Sequence, residues 1–217
     1  MGIKAENSRK IRELEEEFSD EVIAELFHIE DEGIIQAADR ARHSKRLATR
    51  NLIVIVAIVV GIVIALQFFS ARVVYEYSME DTILPRDLVL LALKAYDNSE
   101  IKHGDLIMIE TNLIDENGDP RDLIKRVIGL PGDTVEIRDG GVYRDGQLLN
   151  EPYVKGNVTA GEMGQVLVPE GYMFVLGDNR RISIDSRDAR VGYVGHEEII
   201  GKVFFRMLPF SRSGPLR

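Results

Sequence analysis

Three short blocks of this 217-residue chain hold more reactive side chains than connecting segments need. Gly177 to Arg187 reads GDNRRISIDSR, with two acids, three arginines and two serines in eleven positions. Leu123 to Asp133 reads LIKRVIGLPGD and Tyr77 to Asp87 reads YSMEDTILPRD, so a lysine and a serine both fall in apolar, strand-like settings. A hydroxyl becomes a useful nucleophile only when a neighbouring base takes its proton. Cysteine is absent, which excludes thiol nucleophiles, disulfides and thiolate metal sites. Of the four histidines, His28 and His43 precede a long apolar run that separates them from the three blocks. His103 precedes a Gly-Asp turn and His196 sits among glutamates, so both read as surface residues without the partners a triad or a zinc shell requires. The base left for a serine is lysine.

Five lysines lie beyond the apolar run: Lys94, Lys102, Lys125, Lys155 and Lys202. A lysine base must be neutral, which means lowering its ordinary pKa of about 10.4 by roughly two units, or about 3 kcal/mol of destabilisation of the ammonium. Burial is the means. On a strand, Lys125 shares one face with Leu123 and Val127, whereas Lys94, Lys102 and Lys155 stand in polar surroundings. Lys202, in an apolar strand, is the weaker rival. Taken alone, Lys125 could equally be an edge lysine whose amine reaches back to water.

The elements that must position these groups follow from patterning. Leu52 to Phe69 is apolar except at Gln67, and eighteen residues at a rise of roughly 1.5 Å each nearly match a hydrocarbon core of about 30 Å. Arg40, Arg42, Lys45, Arg46 and Arg50 precede it without an intervening acid, and Arg72 is the nearby base after it, so the positive-inside rule puts the N-terminus in the cytoplasm. Fifty preceding residues are too many for a cleaved signal peptide, so the run reads as a retained single-pass anchor in the cell membrane. Before it, Ile11, Leu14, Phe18, Val22, Leu26 and Ile29 recur at helical spacing, an amphipathic helix for an unidentified partner or for the lipid headgroups.

After the anchor, short apolar runs alternate with Gly, Pro, Asp and Asn: Leu88 to Leu93, Leu106 to Ile109, Leu123 to Leu130, Thr134 to Ile137, Tyr172 to Leu176 and Ile199 to Phe205. These are strands, Asp145-Gly146 marks a hairpin turn, and Lys155 to Gln165 reads as an exposed loop. The expected organisation is a cytoplasmic helical arm at 1–50, a transmembrane anchor at 51–70 and a mostly β extracytoplasmic domain at 71–217. The net charge of −9, with no basic stripe, excludes a nucleic-acid partner.

With these residues in view, the chain resembles the bacterial type I signal peptidases, membrane-anchored serine proteases with a Ser/Lys dyad on a mostly β fold. The family's SMxPTLxxGD corresponds to Ser78 to Asp87, its KRVxGLPGD to Lys125 to Asp133, and its GDNRxxSxDSR to Gly177 to Arg187 in full. The resemblance extends from the anchor to Arg212. It implies Ser78 as nucleophile, Lys125 as general base, Ser183 as hydrogen-bond partner of the lysine amine and the Ser78 N–H as part of an oxyanion hole. It further implies Asp178 with Arg126 and Asp185 with Arg187 as supporting ion pairs, and Met79, Ile83, Leu123 and Ile124 as pocket residues for small side chains. The implied substrates are signal-peptide-bearing precursors cut after an Ala-x-Ala-like site at the outer membrane surface, with the bilayer as partner and no metal or other cofactor. Ser78 follows the apolar run by about nine residues, so it works within roughly 30 Å of the membrane.

Three positions depart from the family pattern beside the nucleophile. Asp81 replaces Pro, Arg86 replaces Gly, and Glu76 stands where Ser or Gly is usual. An ionised carboxylate near the lysine favours its ammonium, so the departures predict a slowed enzyme or an alkaline optimum, with Arg86 available to neutralise Asp81. The alternative readings are a catalytically weak, membrane-anchored β-domain that binds secretory precursors or a partner protein, a different Ser/Lys family such as the self-cleaving repressors, and a structural envelope protein.

Overall fold

A computed structural model describes residues 20–97, 99–114, 118 and 120–216. The first element is one long helix, α1 (Asp20–Phe68). Its stretch Arg42–Phe68 is long and apolar enough to cross a membrane, and its apolar side chains are exposed, Ile53 at 64% and Leu66 at 68%. Water does not tolerate so much contiguous apolar surface, whereas a bilayer does. Of the amphipathic stripe expected from sequence, Ile11, Leu14 and Phe18 lie outside the described residues. The chain divides into compact units between Ile62 and Val63, and the second, Val63–Arg217, holds all three reactive blocks.

That second unit is β-rich. Its strands are β1 (Phe69–Val73), β2 (Leu88–Ala92), β3 (Leu106–Ile109), β4 (Leu123–Gly129), β5 (Thr134–Arg138), β6 (Gly141–Arg144), β7 (Gln147–Leu148), β8 (Met163–Leu167), β9 (Tyr172–Leu176), β10 (Val194–Gly195), β11 (Ile199–Leu208) and β12 (Gly214–Pro215). One antiparallel sheet runs β1-β2-β11-β3-β4-β9-β10, with β12 also pairing to β11, and a second runs β7-β6-β5-β8. The sequence places Phe69 and Ser70 in the anchor, but both already pair with β2, Phe69 opposite Ala92 and Ser70 opposite Leu91. Ladder hydrogen bonds to β2 satisfy their backbone groups, so the chain leaves the helix at Phe68.

The stretch Lys155 to Gln165 differs from the expected loop, because β8 begins at Met163 and pairs with β5. Met163 and Val166 pack on the core formed by Val135, Ile137, Val142 and Phe174. Gly161 and Gly164 break the apolar alternation and hide this strand from sequence. The Asp145-Gly146 hairpin forms between β6 and β7 with both residues at positive φ, +53° and +77°, the conformation a two-residue primed turn requires.

β4 is the strand on which the fold centres. All seven of its residues are buried, because β3 and β9 flank it and apolar clusters cover both faces. A run that is apolar at nearly every position, and not only at alternate ones, is what such a central strand needs. The loop between β1 and β2 carries Ser78 and is closed by Asp87, whose carboxylate accepts the Leu84 N–H at 2.9 Å and pairs with Arg212 at 2.6 Å.

Arg86 in that loop has φ +71°, a left-handed conformation that a side chain disfavours and glycine accepts. This explains why the resembled pattern has Gly at the position. Arg86→Gly is expected to raise unfolding stability by roughly 0.5–1 kcal/mol, the left-handed penalty less the entropy of the unfolded glycine, read from chemical denaturation of the detergent-solubilised chain.

Candidate active site

Residues distant in sequence hold Ser78. The Asn179 N–H donates to the Ser78 carbonyl at 2.9 Å, and the Asn179 side-chain amide donates to the Tyr77 carbonyl at 3.2 Å. Thr82 Oγ1 donates to Asp178 Oδ2 at 2.5 Å. The GDNR segment therefore grips the serine loop on both sides of Ser78. Gly177 makes the approach possible: a Cβ there would lie 2.6 Å from both the Ser78 carbonyl oxygen and Ser183 Cβ.

Lys125 rises from the centre of β4 and is fully buried. Its Nζ donates to Ser78 Oγ at 2.9 Å and to the Ile124 carbonyl at 3.1 Å. Burial pushes its pKa down from 10.5 to about 8, against the opposing pull of the Glu76, Asp185 and Asp178 carboxylates and with help from the Arg121 guanidinium. The rival Lys202 is paired to Asp105 at 2.6 Å with its side chain 35% exposed, away from Ser78. His103 lies at the surface 2.6 Å from Asp133, and His196 is exposed, both remote in chemistry from the serine.

Around Ser78 and Lys125 stand two ion pairs, Arg126 with Asp178, which is buried, and Arg187, whose side chain is partly exposed, with Asp185. Arg126 meets Asp178 through two bonds, Nε to Oδ1 at 2.9 Å and Nη2 to Oδ2 at 2.7 Å, while its guanidinium lies 3.8 Å from the Tyr153 ring centre. Arg187 meets Asp185 through two bonds of 2.8 Å, and Asp185 Oδ2 also accepts the Gly177 N–H at 3.0 Å. A second buried guanidinium, that of Arg180, is held by Glu151 at 2.7 and 2.8 Å and by Thr159 Oγ1 at 2.7 Å. Such two-point pairs fix orientation as well as charge.

Three expectations need adjustment. The Ser183 Oγ is buried and has no hydrogen-bond partner, so the expected bond to the Lys125 amine is not formed; that amine is taken by Ser78 and Ile124. Ile83 is buried in the same core cluster as Met79 and does not line either of the two grooves beside Ser78. Asp81 and Arg86 are both exposed and form no ion pair with each other among the described residues. Met79 and Ile124 do line a groove of about 690 Å³ beside Ser78, and Leu123 lines an adjoining one of about 180 Å³.

The sequence pattern assigns no role to Asn179, Thr82 or Arg121. Asn179 sits inside the charged block, where it is masked by the stronger charges of its neighbours. Arg121 carries no local signal at all: it reaches Glu76, 45 residues earlier, with Nε 2.5 Å from Oε1.

Comparison with known proteins gives concordant matches. Residues 46–208 match the family described as "Signal peptidase, peptidase S26". The signal peptidase I of Bacillus caldolyticus is 36% identical over 170 residues, 72% of this chain and 89% of that protein. A signal peptidase I of Bacillus amyloliquefaciens is 32% identical over 167 residues, 73% of this chain and 86% of the relative. The probable signal peptidase I-1 of Synechocystis is 38% identical over 167 residues, 73% and 83% respectively.

Two stability outcomes follow from the buried charges. The folded pKa of Lys125 lies below its unfolded value, so between about pH 8 and 10.5 the unfolded chain binds the extra proton and wild-type stability rises with pH. Lys125→Met should therefore gain about 3 kcal/mol over wild type at pH 7, shrinking towards zero by about pH 10.5, in denaturation at stepped pH. Asp178→Ala strands the buried Arg126 cation and should cost about 3–5 kcal/mol by the same measurement.

Proposed function

The chain belongs to the signal peptidase family, peptidase S26, and on that footing we propose that it is a membrane-anchored serine endopeptidase that removes signal peptides from secretory precursors through a Ser78/Lys125 dyad. The observation that carries the dyad is the 2.9 Å contact between Lys125 Nζ and Ser78 Oγ, at a lysine buried enough to lose its proton near neutral pH. In the reacting state the neutral amine accepts the Ser78 proton while Oγ bonds to the scissile carbonyl carbon. The Ser78 N–H supports the oxyanion that forms. The carbon–nitrogen bond then breaks as the lysinium protonates the departing amine; a water deprotonated by the same lysine attacks the acyl carbon, the carbon–Oγ bond breaks, and the lysinium returns the proton to Ser78 Oγ.

Residues near the dyad divide the remaining work. Asp178 with Arg126 and Asp185 with Arg187 hold the loops in register. Met79, Leu123 and Ile124 form shallow apolar surfaces beside Ser78 that suit the small side chains preceding a signal-peptide cleavage site. Ser183, buried with a free hydroxyl, is available to the lysine once the amine turns from its resting bond.

Anchoring fits this substrate. The few residues between α1 and Ser78 tether the serine to within roughly 30 Å of the apolar segment, where a precursor held by its own signal helix emerges. The basic cluster Arg40 to Arg50 argues for a cytoplasmic N-terminus, with residues 71–217 on the outer face and 1–50 inside.

Purified full-length protein in vesicles should cleave a membrane-inserted precursor after the second Ala of an Ala-x-Ala site. Ser78→Ala and Lys125→Ala should each lose at least about 10³-fold in kcat/KM, as residues acting as one unit do. The wild-type kcat/KM should climb with pH through about 8, where Lys125 sheds its proton, and a profile already flat at pH 6 would contradict lysine as the base.

A further inference from the structure

Glu76 and Arg121 form an ion pair inside the site that the general reaction scheme leaves unused. Glu76 Oε1 takes Arg121 Nε at 2.5 Å, and its other oxygen, Oε2, lies 3.3 Å from Ser78 Oγ and 4.0 Å from Lys125 Nζ. The Glu76 side chain is 18% exposed and the Lys125 side chain 0%, so little water intervenes. Both members of the pair line both grooves that meet at the nucleophile. Glu76 thus touches the reacting hydroxyl and faces the base, while Arg121 keeps the carboxylate from swinging into either groove.

We infer that Glu76 is a third catalytic member of the site, stabilising the positive charge that develops on Lys125 as Ser78 gives up its proton, and that Arg121 is the positioning residue that holds it there. The inference rests on the Ser78/Lys125 reading. Proton transfer creates an ammonium in a dry setting, and a carboxylate 4.0 Å away offsets the cost of that charge. The same carboxylate makes Lys125 a stronger base and moves the pH at which it is free upward. The other charges facing the amine are already committed: Asp178 to Arg126 and Asp185 to Arg187. Arg72 and Asp122 share the larger groove with Glu76 and Arg121 and complete the charges on that side. Glu76 is therefore the one carboxylate among the described residues here that contacts both members of the dyad.

The test is the pH dependence of kcat/KM for the full-length protein in vesicles, with an Ala-x-Ala precursor, in wild type, Glu76→Gln and Arg121→Met. Glutamine keeps the shape and can still accept from Arg121, so folding is preserved. Glu76→Gln should move the acidic limb down by roughly one pH unit and lower the high-pH plateau about three- to tenfold, since a less basic lysine is a poorer proton acceptor. Arg121→Met releases the carboxylate that Arg121 holds and also removes a cation near the amine; with Arg121 as the positioning residue the first effect prevails and the limb moves down with that of Glu76→Gln, whereas a limb moved to higher pH shows only the lost cation and overturns the positioning role. A pair with a merely structural role would change the plateau and move neither limb. An unmoved limb in Glu76→Gln, or a plateau equal to or above wild type, would overturn the inference. Lys125→Ala run alongside separates the two levels: if it stays active, the dyad reading itself fails, and if it is dead while Glu76→Gln behaves as wild type, only the role of Glu76 fails.

Discussion

The site is built around one amine kept out of water. Lys125 occupies the middle of a strand that is buried on both faces, and an ammonium there costs free energy unless it is neutralised or paired. Three carboxylates approach, yet burial still outweighs them and brings its pKa to about 8. That balance gives a lysine that is basic enough to take a proton and not so basic as to be permanently charged. Most other features of the site can be understood as holding this balance steady.

The charged block at Gly177 to Arg187 serves geometry. Each of its buried charges has a full set of partners: Asp178 with Arg126 and Thr82, Asp185 with Arg187 and the Gly177 N–H, Arg180 with Glu151 and Thr159. Charges satisfied so completely cannot be moved cheaply, because separating any pair leaves a buried ion behind. The block thereby fastens the serine loop to β9, through Asn179 on the Ser78 carbonyl and through Gly177, which leaves room for the approach. Stability is spent on a fixed distance between a hydroxyl and an amine that lie 47 residues apart.

Much of this architecture is legible from residue order because it is local or periodic. The runs 106–109 and 172–176 form strands with the expected bounds, and Asp145-Gly146 turns the hairpin, since alternation and turn chemistry act between near neighbours. Lys125 is conspicuous because Leu123, Ile124 and Val127 commit their strand to burial, and an amine carried in with them loses its water. The features hidden from sequence depend on distant partners. β8 has two glycines before or within it and is a strand because β5 offers a free edge. Ile83 has the same character as Met79 and shares its core cluster, yet only Met79 also lines the groove beside Ser78.

Glu76 and Asp81 illustrate the division most clearly. By sequence they are two acids at similar distances from Ser78, and either could disturb the lysine. Folding sends Asp81 to the solvent and turns Glu76 towards Ser78 and Lys125, paired with Arg121. The sequence by itself determined the family, the apolar segment and most of the strands, because these follow from motif residues, apolar length and short-range periodicity. Only the tertiary structure decided which acid meets the amine, which serine hydroxyl is left without a partner, and how far burial lowers the lysine pKa. Those quantities depend on distances of a few ångströms between segments far apart in the chain, where the effective dielectric and the hydrogen-bond geometry are created by packing.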